Sequence, residues 1–171
     1  MKSNSKSAIF PGSFDPFTLG HMDVLQSALK LFDKIFIAVG YNHLKHGFLS
    51  PGTRVSLITD AVRPLVEDGA DIEVLSYTGL TVDLCREKGT CFIIRGLRTT
   101  TDFELESVIA QANRKMQPET VTVFIPASHN YSFISSTVVR DVIINGGDAA
   151  PFLPSNIRIE NYISTEQLSE K

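Results

Sequence analysis

The sequence predicts an α/β fold: a doubly wound, Rossmann-like five-stranded parallel sheet with helices on both faces. Three observations predict it. Short continuous apolar runs alternate with stretches of helical periodicity along the chain. The runs are rich in β-branched residues and lack polar alternation, as strands covered on both faces do. The residues best equipped for chemistry, at Ser13, Arg95 and Ser128, follow such runs. Ligands of open α/β sheets bind there, beyond the carboxyl ends of the strands.

The elements are justified in order. Residues 8–10 are the first strand candidate, and a turn through Gly12 and Pro16 leads to a helical pattern from His21. Met22, Leu25, Ala28, Leu29 and Phe32 fall on one stripe of that helix. Residues 34–39 (KIFIAV) are the second strand. Ser50 before Pro51 reads as an N-cap with proline in the first helical turn. Val55, Leu57, Ile58, Ala61 and Val62 then give this helix an apolar side. Residues 71–75 form the third strand, and a short helix over 80–87 stops at Gly89. Residues 91–94 and 121–125 are the last two strands, with a helix over 102–116 between them. A final helix over 135–145 ends at Gly146-Gly147. Strand alternating with helix implies right-handed crossovers and parallel pairing. Beyond a turn at Phe152-Leu153-Pro154, residues 156–163 suit either a short helix or an extended segment. A single domain over residues 1–171 is expected, with 1–6 a disordered polar extension and 164–171 a frayed tail.

Composition narrows the function classes. The chain is 43% hydrophobic and 20% charged, with a net charge of −3. That balance argues against a general nucleic-acid surface, which needs a basic excess. No apolar run approaches the roughly 20 residues that span a bilayer. The polar stretch 2–6 precedes no apolar signal core, so a cytoplasmic protein is expected. Cys85 and Cys91 fit no zinc spacing and read as reduced thiols.

The most informative stretch is Gly12-Ser13-Phe14-Asp15-Pro16-Phe17-Thr18-Leu19-Gly20-His21. A glycine-bearing turn between strand and helix brings backbone N–H groups and the positive helix end toward an anion such as phosphate. Gly20 lets the chain pass close to a ligand. Thr18-x-Gly20-His21 after this turn resembles the signature of the nucleotidyltransferases, which attack the α-phosphate of a nucleoside triphosphate and release pyrophosphate. Two more segments narrow the match: Ile94-Arg95-Gly96-Leu97-Arg98 with Asp102-Phe103-Glu104, and Tyr131-Ser132-Phe133-Ile134-Ser135-Ser136-Thr137. In this order and at these separations the three resemble the bacterial phosphopantetheine adenylyltransferases, from about residue 8 to 153.

The resemblance implies transfer of AMP from ATP to 4′-phosphopantetheine, giving dephospho-coenzyme A and pyrophosphate. It implies catalytic roles for His21, Lys45 and Arg95. ATP is expected against Ser13, Phe14, Thr18, His21, Gly96, Leu97, Arg98, Glu106 and the segment Tyr131, Ser132, Phe133, Ile134, Ser135, Ser136 and Thr137. Phosphopantetheine is expected against Ser13, Lys45, Thr81 and Arg95; Asn113, on the helix that carries Glu106, is a weaker site candidate. It further implies Mg²⁺ carried on the ATP, a homohexamer and coenzyme A as a feedback inhibitor. Family members usually have Thr where this chain has Ser13, often Trp at Tyr131 and Ser at Thr137; the hydroxyl survives at positions 13 and 137.

Each residue also has a plainer reading. His21 and Thr18 suit helix capping, and Ser13 a turn cap. Lys45, His43 and His46 suit a solvated loop. A charge ending an apolar strand needs a reason: Arg95 is either paired with a carboxylate or a clamp on phosphate, which matches guanidinium geometry. Asp15-Pro16 reads as turn chemistry, and His129 stays unassigned. Two rival functions remain open: the same reaction on nicotinamide mononucleotide or a phosphorylated alcohol, and a non-enzymatic nucleotide sensor. Loss of His21, Lys45 or Arg95 would mark a sensor, and all three are present.

Overall fold

The computed structural model describes residues 6–41 and 47–163. Five parallel strands lie in the order β3-β2-β1-β4-β5: β1 (Ser7–Gly12), β2 (Lys34–Gly40), β3 (Asp71–Tyr77), β4 (Phe92–Leu97) and β5 (Val121–Pro126). Between them run α1 (Leu19–Ala28), α2 (Pro51–Glu67), α3 (Thr81–Lys88) and α4 (Thr100–Met116), with α5 (Ser136–Ile144) after β5. The order reverses at β1, so the expected doubly wound fold is present and its switch point lies between β1 and β4.

The sheet divides its side chains by period two. Ala8, Phe10, Ile35, Ile37 and Val39 face a core with Val24 and Leu25 of α1, Leu57, Ile58 and Ala61 of α2, and Val139 and Ile143 of α5. Ile9, Phe36, Ala38 and Ile93 face the other way, onto Leu84 and Cys85 of α3. Both cysteines are free. Burial, and then Cys91, pushes the Cys85 thiol up to about 11.

Local signals explain most boundaries. Ser50 Oγ accepts from Thr53 N at 3.1 Å, with Pro51 at the first helical position. Gly89 caps α3 at φ 66°, a left-handed conformation that glycine adopts without a Cβ clash. Several boundaries differ from the expectation. Helix α1 begins at Leu19 rather than His21, because Thr18 is its N-cap. Helix α4 starts earlier, at Thr100, with Thr99 Oγ1 accepting from Asp102 N at 3.1 Å. The tail resolves its two readings into a single 3-10 turn, Ile159–Asn161, with Ile157 and Ile159 buried in the core. The expected frayed tail and extension fall mainly outside the described residues.

Strand β4 gives the main correction. It does not stop before Arg95 but continues to Leu97, because it stays paired with β5 as far as Leu97 opposite Pro126. Its pairing with β1 ends early, at Ile9 opposite Ile93, whereas β1 stays with β2 to Gly12. Pro11 lacks the N–H that a ladder needs. The two central strands therefore part at their carboxyl ends, and Arg95 enters the gap.

Candidate active site

The parting of β1 from β4 leaves a crevice of about 320 Å³ above the sheet. Its walls come from the β1–α1 turn, the end of β4, the start of α4 and the start of α5. Ser13, Phe14, Thr18 and His21 border it on one side, Arg95, Gly96, Arg98 and Glu106 on another, and Ile134, Ser135, Ser136 and Thr137 on a third.

The β1–α1 turn is built around an inward-facing ring. Phe14 has φ 47°, a strained conformation for a residue with a side chain. Its ring is buried against Phe10 (5.3 Å between centroids), Phe17 (5.6 Å) and His21 (5.0 Å). A Cβ on Gly12 would lie 2.8 Å from the Phe14 ring, so only glycine leaves room for it. Phe17 stacks on the imidazole at 5.4 Å. Thr18 N–H then donates to Nδ1 of His21 at 3.0 Å, and Thr18 Oγ1 sits 3.0 Å from the same nitrogen. An Nδ1 that accepts a backbone N–H carries no proton, so the remaining proton is on Nε2. Burial, then the charges of Arg98 and Arg95, hold the imidazole down to about 3. The capping reading of Thr18 and His21 is thus present, and the same contact orients the ring.

The cations occupy the opposite wall. Arg95 shows the first of its two readings, the pairing with a carboxylate, while also lining the crevice. Its Nε donates to Glu106 Oε2 at 2.7 Å and its Nη2 to Oε1, while Nη1 donates to the Pro11 carbonyl at 2.6 Å. Glu106 is the buried residue of α4, and a fork matched to a carboxylate explains how a charge is held there. Arg98 pairs with Asp102: Nε to Oδ2 at 3.0 Å, and Arg98 N–H to the same oxygen at 3.0 Å. Beyond the Arg95–Glu106 pair lies a second cavity of about 210 Å³, which Thr81 and Asn113 also line. Thr81 Oγ1 is 2.8 Å from the Tyr77 hydroxyl.

The third wall is the start of α5. Ser135 Oγ caps Val138 N at 3.1 Å, and Ser136 Oγ donates to the Pro16 carbonyl at 2.8 Å. The first N–H groups of this helix lack intrahelical acceptors, which makes its end an anion site. Gly20 serves this wall. A Cβ there would lie 3.2 Å from the Ile134 carbonyl and 3.5 Å from that of Tyr131, so the close approach at Gly20 is to the chain itself, where the first motif meets the third, rather than to a ligand as expected. Ser128 is also tied to α1, its N–H and Oγ donating to Asp23 at 2.8 and 2.6 Å.

Not every expected residue borders the crevice. Leu97, Tyr131, Ser132 and Phe133 do not line it. The Leu97 carbonyl accepts from Ala127 N at 2.7 Å, Ser132 Oγ donates to the His129 carbonyl at 3.2 Å, and Phe133 is exposed. Lys45, His43 and His46 lie outside the described residues. Sequence reasoning missed three residues. Asp102 and Arg140 line the crevice. Arg54 lies beneath it, donating to the Ser13 carbonyl at 3.2 Å. The two arginines carried a signal. Arg54 precedes Leu57, Ile58 and Ala61 on the apolar stripe of α2, and Arg140 lies between Val139 and Ile143 on that of α5. A charge on a core stripe needs a partner.

A family model described as cytidylyltransferase-like matches residues 9–142. The phosphopantetheine adenylyltransferase of Flavobacterium psychrophilum is 44% identical over 155 residues, which cover 91% of this chain and 99% of that protein. The one from Cytophaga hutchinsonii is 43% identical over 153 residues, covering 90% and 99%. Among solved structures, the bifunctional NMN adenylyltransferase/ADP ribose pyrophosphatase from Francisella tularensis shares the fold, with a TM-score of 0.68 at 17% identity over 91% of this chain and 46% of that one. The chain belongs to the cytidylyltransferase-like family and, within it, to the phosphopantetheine adenylyltransferases.

Proposed function

We propose that this enzyme transfers the adenylyl group of ATP to 4′-phosphopantetheine, giving dephospho-coenzyme A and pyrophosphate, in coenzyme A biosynthesis. One observation carries the reading: an imidazole with its proton on Nε2, the guanidinium of Arg95 and the start of α5 converge on one crevice. The acceptor's phosphate attacks the α-phosphorus in line. A phosphate monoester has its second pKa near about 6, so the nucleophile is ionised without a protein base. That suits this crevice, whose carboxylates Asp102 and Glu106 are each engaged by an arginine. His21 donates from Nε2 to the α-phosphate oxygens as charge builds in the transition state. Ser13, Phe14, Thr18, Gly96, Arg98 and the Ser135–Thr137 helix start hold ATP, with Glu106 and Ile134 on the same crevice. Arg95, Lys45, Thr81 and Ser13 hold the acceptor.

The cavity beyond Arg95 gives the arm of the acceptor a course along Thr81 and Asn113. Among the described residues no group of three His, Cys, Asp or Glu is placed to hold a metal. The paired state of Asp102 and Glu106 fits Mg²⁺ that arrives on the triphosphate's own oxygens, where it neutralises phosphate charge. Coenzyme A shares the acceptor's arm and is read as a feedback inhibitor of the same crevice. A homohexamer would cover the exposed Phe103, Leu105 and Val108 of α4. No helix among the described residues is long and apolar enough to cross a membrane, in keeping with a cytoplasmic enzyme.

Turnover tests the reading. ATP and 4′-phosphopantetheine should yield dephospho-coenzyme A and pyrophosphate in equal amounts. Robust turnover of nicotinamide mononucleotide with none of phosphopantetheine would overturn the substrate. Tight ATP binding without pyrophosphate release would overturn the enzyme reading.

A further inference from the structure

We propose that Arg54, held by Asp15, is a positioning residue for adenylyl transfer: it turns the Ser13–Phe14 peptide so that the Phe14 N–H faces the nucleotide crevice. This rests on the reading above. The carbonyl of Ser13 and the N–H of Phe14 belong to one planar trans unit and point opposite ways. Arg54 Nη1, which is not part of the crevice wall, donates to the carbonyl at 3.2 Å. The N–H is thereby turned the other way, and both Ser13 and Phe14 line the crevice. Among the described residues the Phe14 N–H meets no acceptor. A donor held ready for an anion has this form.

The strain at Phe14, φ 47°, requires surroundings that hold it. Arg54 is itself immobilised. Its Nε donates to the Leu49 carbonyl at 2.8 Å and lies 3.4 Å from Asp15 Oδ1. Asp15 accepts Phe48 N and Leu49 N, each at 2.7 Å. Both side chains are more than nine-tenths buried. The guanidinium fills the space beside Gly47, where a Cβ would lie 1.8 Å from Nη2. A buried ion pair is weak evidence for stability, since apolar residues of equal volume do as well. Apolar residues cannot hold the Ser13 carbonyl, and that is what this pair adds.

The test uses the full chain. Arg54→Lys keeps a charge for Asp15 but replaces the planar fork with a single ammonium. The expected result is a kcat per folded molecule lowered about 10²-fold, with KM for 4′-phosphopantetheine within about twofold of wild type. In enzyme carrying ¹⁵N-phenylalanine, the Phe14 amide signal (the one lost in Phe14→Leu) should move when ATP is added to wild type and stay still in Arg54→Lys. Gly47→Ala, which displaces the guanidinium without removing it, should give the same pattern and covers the case in which Arg54→Lys does not fold. A Phe14 signal indifferent to ATP in wild type overturns the proposal. So does wild-type kcat in either folded variant. A wild type that leaves phosphopantetheine unconverted, yet shows the ATP response and its loss on Arg54→Lys, overturns the substrate reading and leaves this one standing.

Discussion

The amide of Thr18 donates to Nδ1 of His21 at 3.0 Å, across the first turn of α1. A contact that belongs to helix capping thus selects the imidazole tautomer with its proton on Nε2. Phe14 and Phe17, both packed against the ring, hold it in that attitude. On the proposed function, local helix chemistry and transition-state chemistry meet in one side chain.

If Nε2–H stabilises charge only as it develops, His21→Ala should lower kcat by about 10²–10³ while KM for ATP changes by much less. Steady-state kinetics on folded enzyme would check this. Equal losses in kcat and ATP affinity would make His21 a holder of substrate instead.

The imidazole held down to about 3 also makes a stability prediction. Unfolded, His21 titrates near 6.5. Between those values the unfolded chain binds one proton more than the folded one, so stability rises with pH. The contribution is complete above 6.5 and is lost as pH falls toward 3, with a slope of up to about 1.4 kcal/mol per pH unit. Urea unfolding at about pH 4.5, 5.5 and 7 should show a steeper fall for wild type than for His21→Gln. Parallel curves would remove the buried neutral imidazole from the account.

Arg95→Ala strands Glu106 and, on the proposed reading, removes a clamp on the acceptor's phosphate. The expected outcome is a KM for 4′-phosphopantetheine raised at least about tenfold, with stability lowered by about 1–3 kcal/mol for the buried carboxylate left without its partner. Adding Glu106→Gln should restore melting temperature but not KM. An unchanged KM would move the acceptor site elsewhere.

Gly20→Ala tests the junction between α1 and the segment before α5. The new Cβ would meet the Ile134 carbonyl at 3.2 Å, where backbone must shift. Melting temperature should fall by the equivalent of about 1–3 kcal/mol, the usual cost of overpacking. Activity per folded molecule should fall with it, because Ser135 and Ser136 follow directly. Full activity would mean that the α5 end does not need this register.

Much of the fold was legible in the sequence. Strands covered on both faces read as unbroken apolar runs, so 34–39 and 121–125 announced β2 and β5 nearly to the residue. Gly89 and Ser50-Pro51 marked helix ends because their signals are local. The end of β4 was not legible: a charge at Arg95 looks like a stop unless the parting of β1 and β4 is known. The site was legible in its motifs but not in its supports. Glu106 was expected against ATP, and its grip on Arg95 could not be read from helical spacing.

By itself the sequence determined the alternation of strand and helix, the glycine-bearing turn after the first strand and the family, because each depends on neighbours a few positions apart. Only the tertiary structure decided what the arginines hold. Arg95 reaches the Pro11 carbonyl across 84 residues, Arg54 that of Ser13 across 41, and Arg140 that of Asp15 across 125. A guanidinium on a flexible stem has no periodicity that names its acceptor; that is settled when the elements pack and buried carbonyls must be satisfied.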